Sequence, residues 1–102
     1  MNYVFDWDPA KAALNFRKHG VRFETAMQVF DDSFAVYDQD RIVDGERRWQ
    51  IIGSVGGISV FLVAYYTEDM DDGFEYVRII PARRAERSER KIDEDSFIQN
   101  RH

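Results

Sequence analysis

Apolar and polar positions along the 102-residue chain change period part-way through. Tyr3-Val4-Phe5 is a short aromatic and β-branched run that reads as a strand. Asp8-Pro9 follows as a helix start, with Asp as the N-cap and Pro at the first helical position. That helix should end at Gly20, a natural left-handed C-cap, with Arg17, Lys18 and His19 in its last turn, where cations favour the dipole. Phe23, Ala26, Met27 and Phe30 then recur at i, i+3, i+4 and i+7, the stripe of a second amphipathic helix ending near Asp31-Asp32. Beyond it the period falls to two. Phe34 to Tyr37 reads as a short strand, Asp38 to Glu46 as a polar surface loop, and Arg47 to Val55 as a strand. Gly56-Gly57 is a hairpin signal leading into Ile58 to Tyr66, apolar on both faces as a central strand requires. Thr67 to Gly73 reads as an acidic turn, Phe74 to Ile80 as the third strand of a meander, and Arg83 to about Ile98 as a charged helix. The order predicts an α+β fold: a short N-terminal strand, two helices, an antiparallel β-meander of three to four strands and a C-terminal helix. It fits one domain over residues 1–102, with a flexible tail from about residue 99.

Composition changes that picture little. Hydrophobic residues at 44% and aromatics at 15% suffice for one core, and with no cysteine that core is held by packing alone. Trp7 and Trp49 are expected in the core rather than as base-stacking platforms. Neither a membrane-spanning run nor a secretory leader is readable, so a cytoplasmic protein is expected. Charge matters more. The net charge of -5 excludes a uniformly basic nucleic-acid binder, yet the total hides a division. Residues 49–77 hold five acids and no Lys or Arg, whereas residues 78–91 hold six basic and two acidic groups. A phosphate-facing surface would have to use that basic island.

Candidate chemistry is correspondingly narrow. His19 and His102 lie far apart in the sequence, so neither a catalytic triad nor a metal site is expected, and Gly53 and Gly56-Gly57 belong to a hairpin rather than to a phosphate loop, so no cofactor is expected. Asp69, Asp71 and Asp72 read as a solvated turn. The island offers Arg78, Arg83, Arg84, Arg87, Arg90 and Lys91. On a helix, Arg83, Arg87 and Arg90 would share one face, with Ala82, Ala85 and Ile92 marking the buried side and Glu86 pairing with Arg90. Guanidiniums suit phosphate oxygens and charge developing on phosphorus, but periodicity alone leaves three readings open: ribonuclease, nucleic-acid binder and solvated helix.

Three blocks of sequence carry a resemblance. Phe5-Asp6-Trp7-Asp8-Pro9-Ala10-Lys11-Ala12 with Asn15, Lys18-His19-Gly20-Val21 and Phe23-Glu24, continuing through Val29-Phe30-Asp31-Asp32, forms the first. Gly45-Glu46-Arg47-Arg48-Trp49 with Ile52-Gly53 forms the second, and Arg78-Ile79-Ile80-Pro81-Ala82-Arg83-Arg84-Ala85 with Glu89-Arg90 the third. In this order and spacing they resemble the BrnT family of bacterial toxins.

That resemblance implies a RelE-like fold and a type II toxin, a metal-independent ribonuclease that cuts RNA to arrest translation. It implies a BrnA-like antitoxin in a hetero-oligomer, a 2:2 complex being one arrangement, with operator DNA contacted only through the antitoxin. Catalytic candidates carried over by position are Lys18, His19, Glu46, Arg48, Arg83 and Glu89, with Arg83 and Arg48 foremost for phosphate and His19, Glu46 or Glu89 as proton carrier. RNA-binding candidates are Arg78, Arg84, Arg87, Arg90 and Lys91. The chain departs from the family pattern at Pro81, where Ser is common, at Asp69, where a basic residue is common, and at Ile92-Asp93, where an aromatic is common. These departures make a catalytically weak relative, acting as a protein-binding co-repressor, the alternative reading.

Overall fold

The computed structural model describes residues 3–43, 46–57, 59–69 and 73–99; for residues 39–43, 46, 47, 69 and 96–99 it describes the backbone alone. In chain order the elements are β1 (Tyr3–Asp6), α1 (Pro9–His19), α2 (Phe23–Ala26) continued by a 3-10 turn (Met27–Asp31), β2 (Val36–Val43), β3 (Glu46–Val55), β4 (Ser59–Asp69), β5 (Glu75–Arg84) and α3 (Arg87–Gln99). The five strands form one sheet in the order β1-β5-β4-β3-β2. β2 to β5 are an antiparallel meander, and β1 lies parallel to β5, so the sheet is mixed.

The first helix forms where its caps require. Asp8 accepts the amides of Ala10 and Lys11 at 2.8 and 3.4 Å, and Gly20, with φ at +69°, ends α1 in the left-handed region. Asn15 then docks α1 on the sheet. β1 stops at Asp6, opposite Arg78, so β5 runs on past its neighbour with an open edge. Asn15 supplies the missing partner: its Nδ2 donates to the Ala82 carbonyl at 2.8 Å and to the Val21 carbonyl at 3.0 Å, and its Oδ1 accepts the Ala82 amide at 3.1 Å.

One face of the sheet meets α1, α2 and the 3-10 turn over a core that includes Phe23, Ala26, Val29, Ile51, Val63, Val77 and Ala82. Phe30 packs its ring against Tyr3, Phe5 and Tyr65, with centroids 5.6, 5.1 and 4.9 Å away. Trp7 stands edge-on to Phe23 and Trp49 packs against the same cluster, as expected of both. The helical stripe at 23–30 is modified. A 3-10 turn repeats every three residues, so Val29 joins Phe23 and Ala26 inside while Met27 is only half-buried. Gly53 lets that turn approach the sheet: a Cβ there would meet Val29 Cγ1 at 2.8 Å and Ala35 Cβ at 3.1 Å.

α3 packs over β2, β3 and β4. It lies on the second face, where Leu62 is buried outside the main cluster. Its attachment is largely polar. Asp93, at 8% exposure, lies against Asp32, whose oxygens accept the Phe34 amide at 2.9 Å and the Ser54 amide and hydroxyl at 2.8 and 3.3 Å. Burial and the neighbouring Asp32 push the Asp93 carboxyl up to about 6.

Four expectations change. The expected loop at Asp38 to Glu46 is strand through Val43 and again from Glu46. Its polarity suits a strand at the edge of the sheet, and Asp44-Gly45 lies outside the described residues. β4 runs on through Thr67–Asp69, pairing with Glu75–Val77, where the acidic turn was expected, and residues 70–72 of that expected turn lie outside the described residues. β5 extends to Arg84 rather than stopping at Ile80, and α3 begins at Arg87 rather than Arg83. Finally, the helix includes Gln99, leaving only residues 100–102 of the expected tail outside the described chain.

Asn15→Ala should lower stability by about 3 kcal/mol in urea unfolding, because the buried amide and carbonyl of Ala82 lose the hydrogen bonds that Asn15 gives them. Asp93 gives a pH signature. Its folded pKa lies above the ordinary 3.8, so the native state holds a proton that the unfolded chain releases, and stability falls as pH rises from about 4 to about 6. Asp93→Asn, which keeps a donor toward Asp32, should raise the melting temperature at pH 7.5 and change it little at pH 4.

Candidate active site

A bulge in β5 decides which side chains share the second face. Tyr65 pairs with Ile79 and Val63 with Ala82, so Ile80 and Pro81 together stand opposite the single residue Ala64. Pro81 is tolerated there because the bulged position needs no ladder amide. The extra residue shifts the alternation: Val77, Ile79 and Ala82 face the core, while Arg78 and Arg83, on opposite parities, both face away from it.

The register builds a row across four strands on that second face: Asp6 on β1, Arg78 on β5, Tyr66 on β4 and Arg48 on β3. Directly opposed residues on neighbouring strands stand about 5 Å apart, so Tyr66 stands between the two arginines. Arg78 is held from its other side. Its Nη1 donates to Asp6 Oδ2 at 2.8 Å, and the Tyr76 hydroxyl donates to the same oxygen. The Tyr76 hydroxyl, the Trp7 amide and Arg78 keep the Asp6 carboxyl below the usual range, and Asp6 in turn pushes the Tyr76 phenol up. The phenol of Tyr66 is the largest influence raising the Arg78 guanidinium, which remains about a third exposed. Arg48 is half-buried, and its Nε is buried without a hydrogen-bond partner among the described residues. A buried guanidinium N–H without an acceptor is a place where an incoming anion would be welcome.

Arg83 occupies a different place. It pairs with Leu62, four residues along β4 from Tyr66 and so about 13 Å away. Its Nη1 and Nη2 donate to the two carboxylate oxygens of Glu89 at 2.8 and 2.9 Å, and Glu89 Oε1 also accepts the Glu86 amide at 2.7 Å. Glu86 is the residue before α3 and Glu89 the third within it, so this is half of a capping box tied to the sheet by an arginine. The hydrogen bonds from Arg83, followed by the Glu86 amide, hold the Glu89 carboxyl below its ordinary range.

The expected basic helical face is therefore corrected. Arg83 and Ala82 are strand residues, Ala82 being buried by β-sheet packing, and Ile92 is exposed at 44% while Asp93 is buried. The carboxylate that engages an arginine near the helix start is Glu89 rather than Glu86. Arg84 faces the core side, with its guanidinium 5.7 Å from the Phe61 centroid, where it lines a cleft of about 320 Å³ with Phe16, Gly20 and Arg22. Arg87, Arg90 and Lys91 are exposed on α3, interleaved with Glu86, Glu94 and Asp95. Lys18 and His19 end α1 beside Gly20, at the Phe61 end of the sheet; Phe61 is five residues along β4 from Tyr66, about 17 Å away. Glu46 opens β3 two positions before Arg48. Among the described residues no three of His, Cys, Asp and Glu gather as a metal ion would need. Asp6, Tyr66 and Tyr76 were not candidates from sequence; only a strand alignment through the bulge would have put them beside Arg78.

Residues 7–89 match a family described as ribonuclease toxin, BrnT, of type II toxin-antitoxin system. The chain belongs to the BrnT family. A search of curated proteins returns no match. Among solved structures the chain is similar to the crystal structure of the Brucella abortus ribonuclease toxin BrnT, with a TM-score of 0.64 at 22% identity over 85% of this chain and 100% of that one. The likeness confirms the fold: an α+β arrangement with a C-terminal helix, compatible with the RelE-like expectation, around a five-strand mixed sheet. Membership of a type II toxin family also implies an antitoxin partner. Among the described residues no helix is long and apolar enough to cross a membrane.

Arg83 and Glu89 should behave as a stabilising pair in this BrnT chain. Arg83→Ala or Glu89→Gln should each lower the melting temperature by a few degrees at pH 7. The Glu89 contribution, carried by a depressed carboxyl, should be fully present above about pH 4.5 and disappear as the pH falls through its lowered folded value. Melting curves from pH 2 to 7 would show wild type and Glu89→Gln converging at the acid end.

Proposed function

We propose that this BrnT chain is an endoribonuclease that cuts cytoplasmic RNA and arrests translation, and that its cleavage site is the part of the second sheet face around Arg48, Tyr66 and Arg78. The observation that supports this reading is the placement of Arg48 and Arg78 on either side of Tyr66, with the first turn of α3 tied instead to Arg83, farther along the face. In the reaction the 2′-hydroxyl gives up its proton and attacks the adjacent phosphorus. The bond from phosphorus to the 5′-oxygen breaks, that oxygen takes a proton, and a 2′,3′-cyclic phosphate remains. Side chains supply the charge the step needs: two guanidiniums steady the extra negative charge on the phosphoryl oxygens.

The same geometry supports a reading of the remaining candidates. Glu89 is bound on both oxygens by Arg83 and its carboxyl is depressed, which makes it a poor proton acceptor. His19 and Lys18 belong to the far end of α1. Glu46, on β3 itself, is the expected proton carrier nearest in sequence to Arg48, and we assign it the proton of the 2′-hydroxyl. Arg84, Arg87, Arg90 and Lys91 lie off the row and act, at most, in steering RNA. A BrnA-like antitoxin would neutralise the toxin by covering this face and would carry the DNA contacts of the complex, a role ill suited to a chain of net charge -5.

Induced expression in a bacterial host should arrest growth, and the purified protein should cleave single-stranded RNA in the presence of EDTA. Arg48→Ala and Arg78→Ala should each lower cleavage by about 100-fold or more while leaving the fold intact by circular dichroism. Arg83→Ala should lose much less activity once assayed below its melting temperature. A folded wild type that neither slows growth nor cuts RNA would instead support the inactive, protein-binding alternative.

A further inference from the structure

Resting on the reading that this part of the second face cuts RNA, we propose that Tyr66 is a further catalytic residue, its hydroxyl donating to a non-bridging oxygen of a scissile phosphate seated between Arg48 and Arg78. Tyr66 is the register partner of both arginines, one on each neighbouring strand. With strands about 4.8 Å apart, the two arginine backbones are separated by about 10 Å, a span that two long side chains close on a single phosphate from either side. The group at the middle of the span then lies directly beneath that phosphate.

Its surroundings fix what the hydroxyl can do. A guanidinium carries only donors, so either arginine approaching the phenol can use only its oxygen lone pairs. The phenolic hydrogen is left for an acceptor. The carboxylate in this row, Asp6, sits beyond Arg78 and already receives the Tyr76 hydroxyl and Arg78. An arriving phosphate oxygen is the acceptor this arrangement lacks. The positions two residues away on the same face of β4 shape the seat further: Ala64 is small and leaves space, whereas Glu68 is exposed and repels an anion that drifts toward it.

Tyr66→Phe removes the hydroxyl and keeps the ring, which makes it the direct test. Three quantities would be compared with wild type: single-turnover cleavage of a labelled single-stranded oligoribonucleotide, affinity for the same sequence with uncleavable 2′-O-methyl riboses, and the unfolding midpoint. The expected result is a cleavage rate lowered by about 100-fold, with affinity for the uncleavable strand and the midpoint changed little. Cleavage at the wild-type rate by Tyr66→Phe, in the same series where Arg48→Ala and Arg78→Ala are impaired, would overturn the role of Tyr66 and leave the ribonuclease reading standing. A rate loss explained by an equal loss of folded protein would also overturn it. A wild type that cleaves no RNA would overturn the ribonuclease reading itself, and the role of Tyr66 with it.

Discussion

The extra residue in β5 is the constraint on which the open face of the sheet depends. Arg78 and Arg83 are five positions apart and would face opposite sides of a regular strand. Placing Ile80 and Pro81 against Ala64 turns both toward the same side and sends Ala82 into the core. Asn15 holds the strand just past the irregularity by gripping the amide and carbonyl of Ala82. The bulge, the proline that lacks an amide and the buried asparagine therefore act together, and the order of charged side chains on the second face follows from them.

On the proposed reading that face is divided between structure and chemistry by one principle, the pairing of guanidinium with carboxylate. At one end Arg83 meets Glu89 on both oxygens and fixes the first turn of α3 to the sheet. At the other end Arg78 meets one oxygen of Asp6 through one nitrogen, and Arg48 has a buried N–H without an acceptor among the described residues. A cation whose partners are complete stabilises a helix; a cation with donors to spare can receive phosphate. Family membership gives this division its meaning, because a ribonuclease toxin needs such a place and a bare basic patch on a helix would not position a phosphate as tightly.

Much of the fold was legible wherever a local rule had no competitor. Asp8-Pro9 and Gly20 bound α1 because capping chemistry needs nothing beyond the helix itself. The stripe from Phe23 to Phe30 put the right residues inside, although the chain tightens into a 3-10 turn to bring Val29 onto Gly53. Asp38 to Val43 misled because an edge strand is as polar as a loop, and Arg83-Arg84 because a charged run before a helix looks like its first turn. Arg48 and Arg78 were among the candidates, but their neighbour Tyr66 was not. The two arginines are 30 residues apart in sequence, and no local period relates them to each other or to the tyrosine between them.

The sequence by itself determined the family, the α+β order of elements, the capped first helix, the aromatic core and a charge distribution that confines any phosphate site to part of the surface. Those features are written in spacing and side-chain chemistry that act over a few residues. Only the tertiary structure decided which arginines share a row. Facing on a strand depends on the count of residues between pairing points, and one bulged position reverses it. The basic island that reads as one helical stripe is thus shared among a cross-strand row, a helix anchor, a core-side cleft and a solvated helix surface.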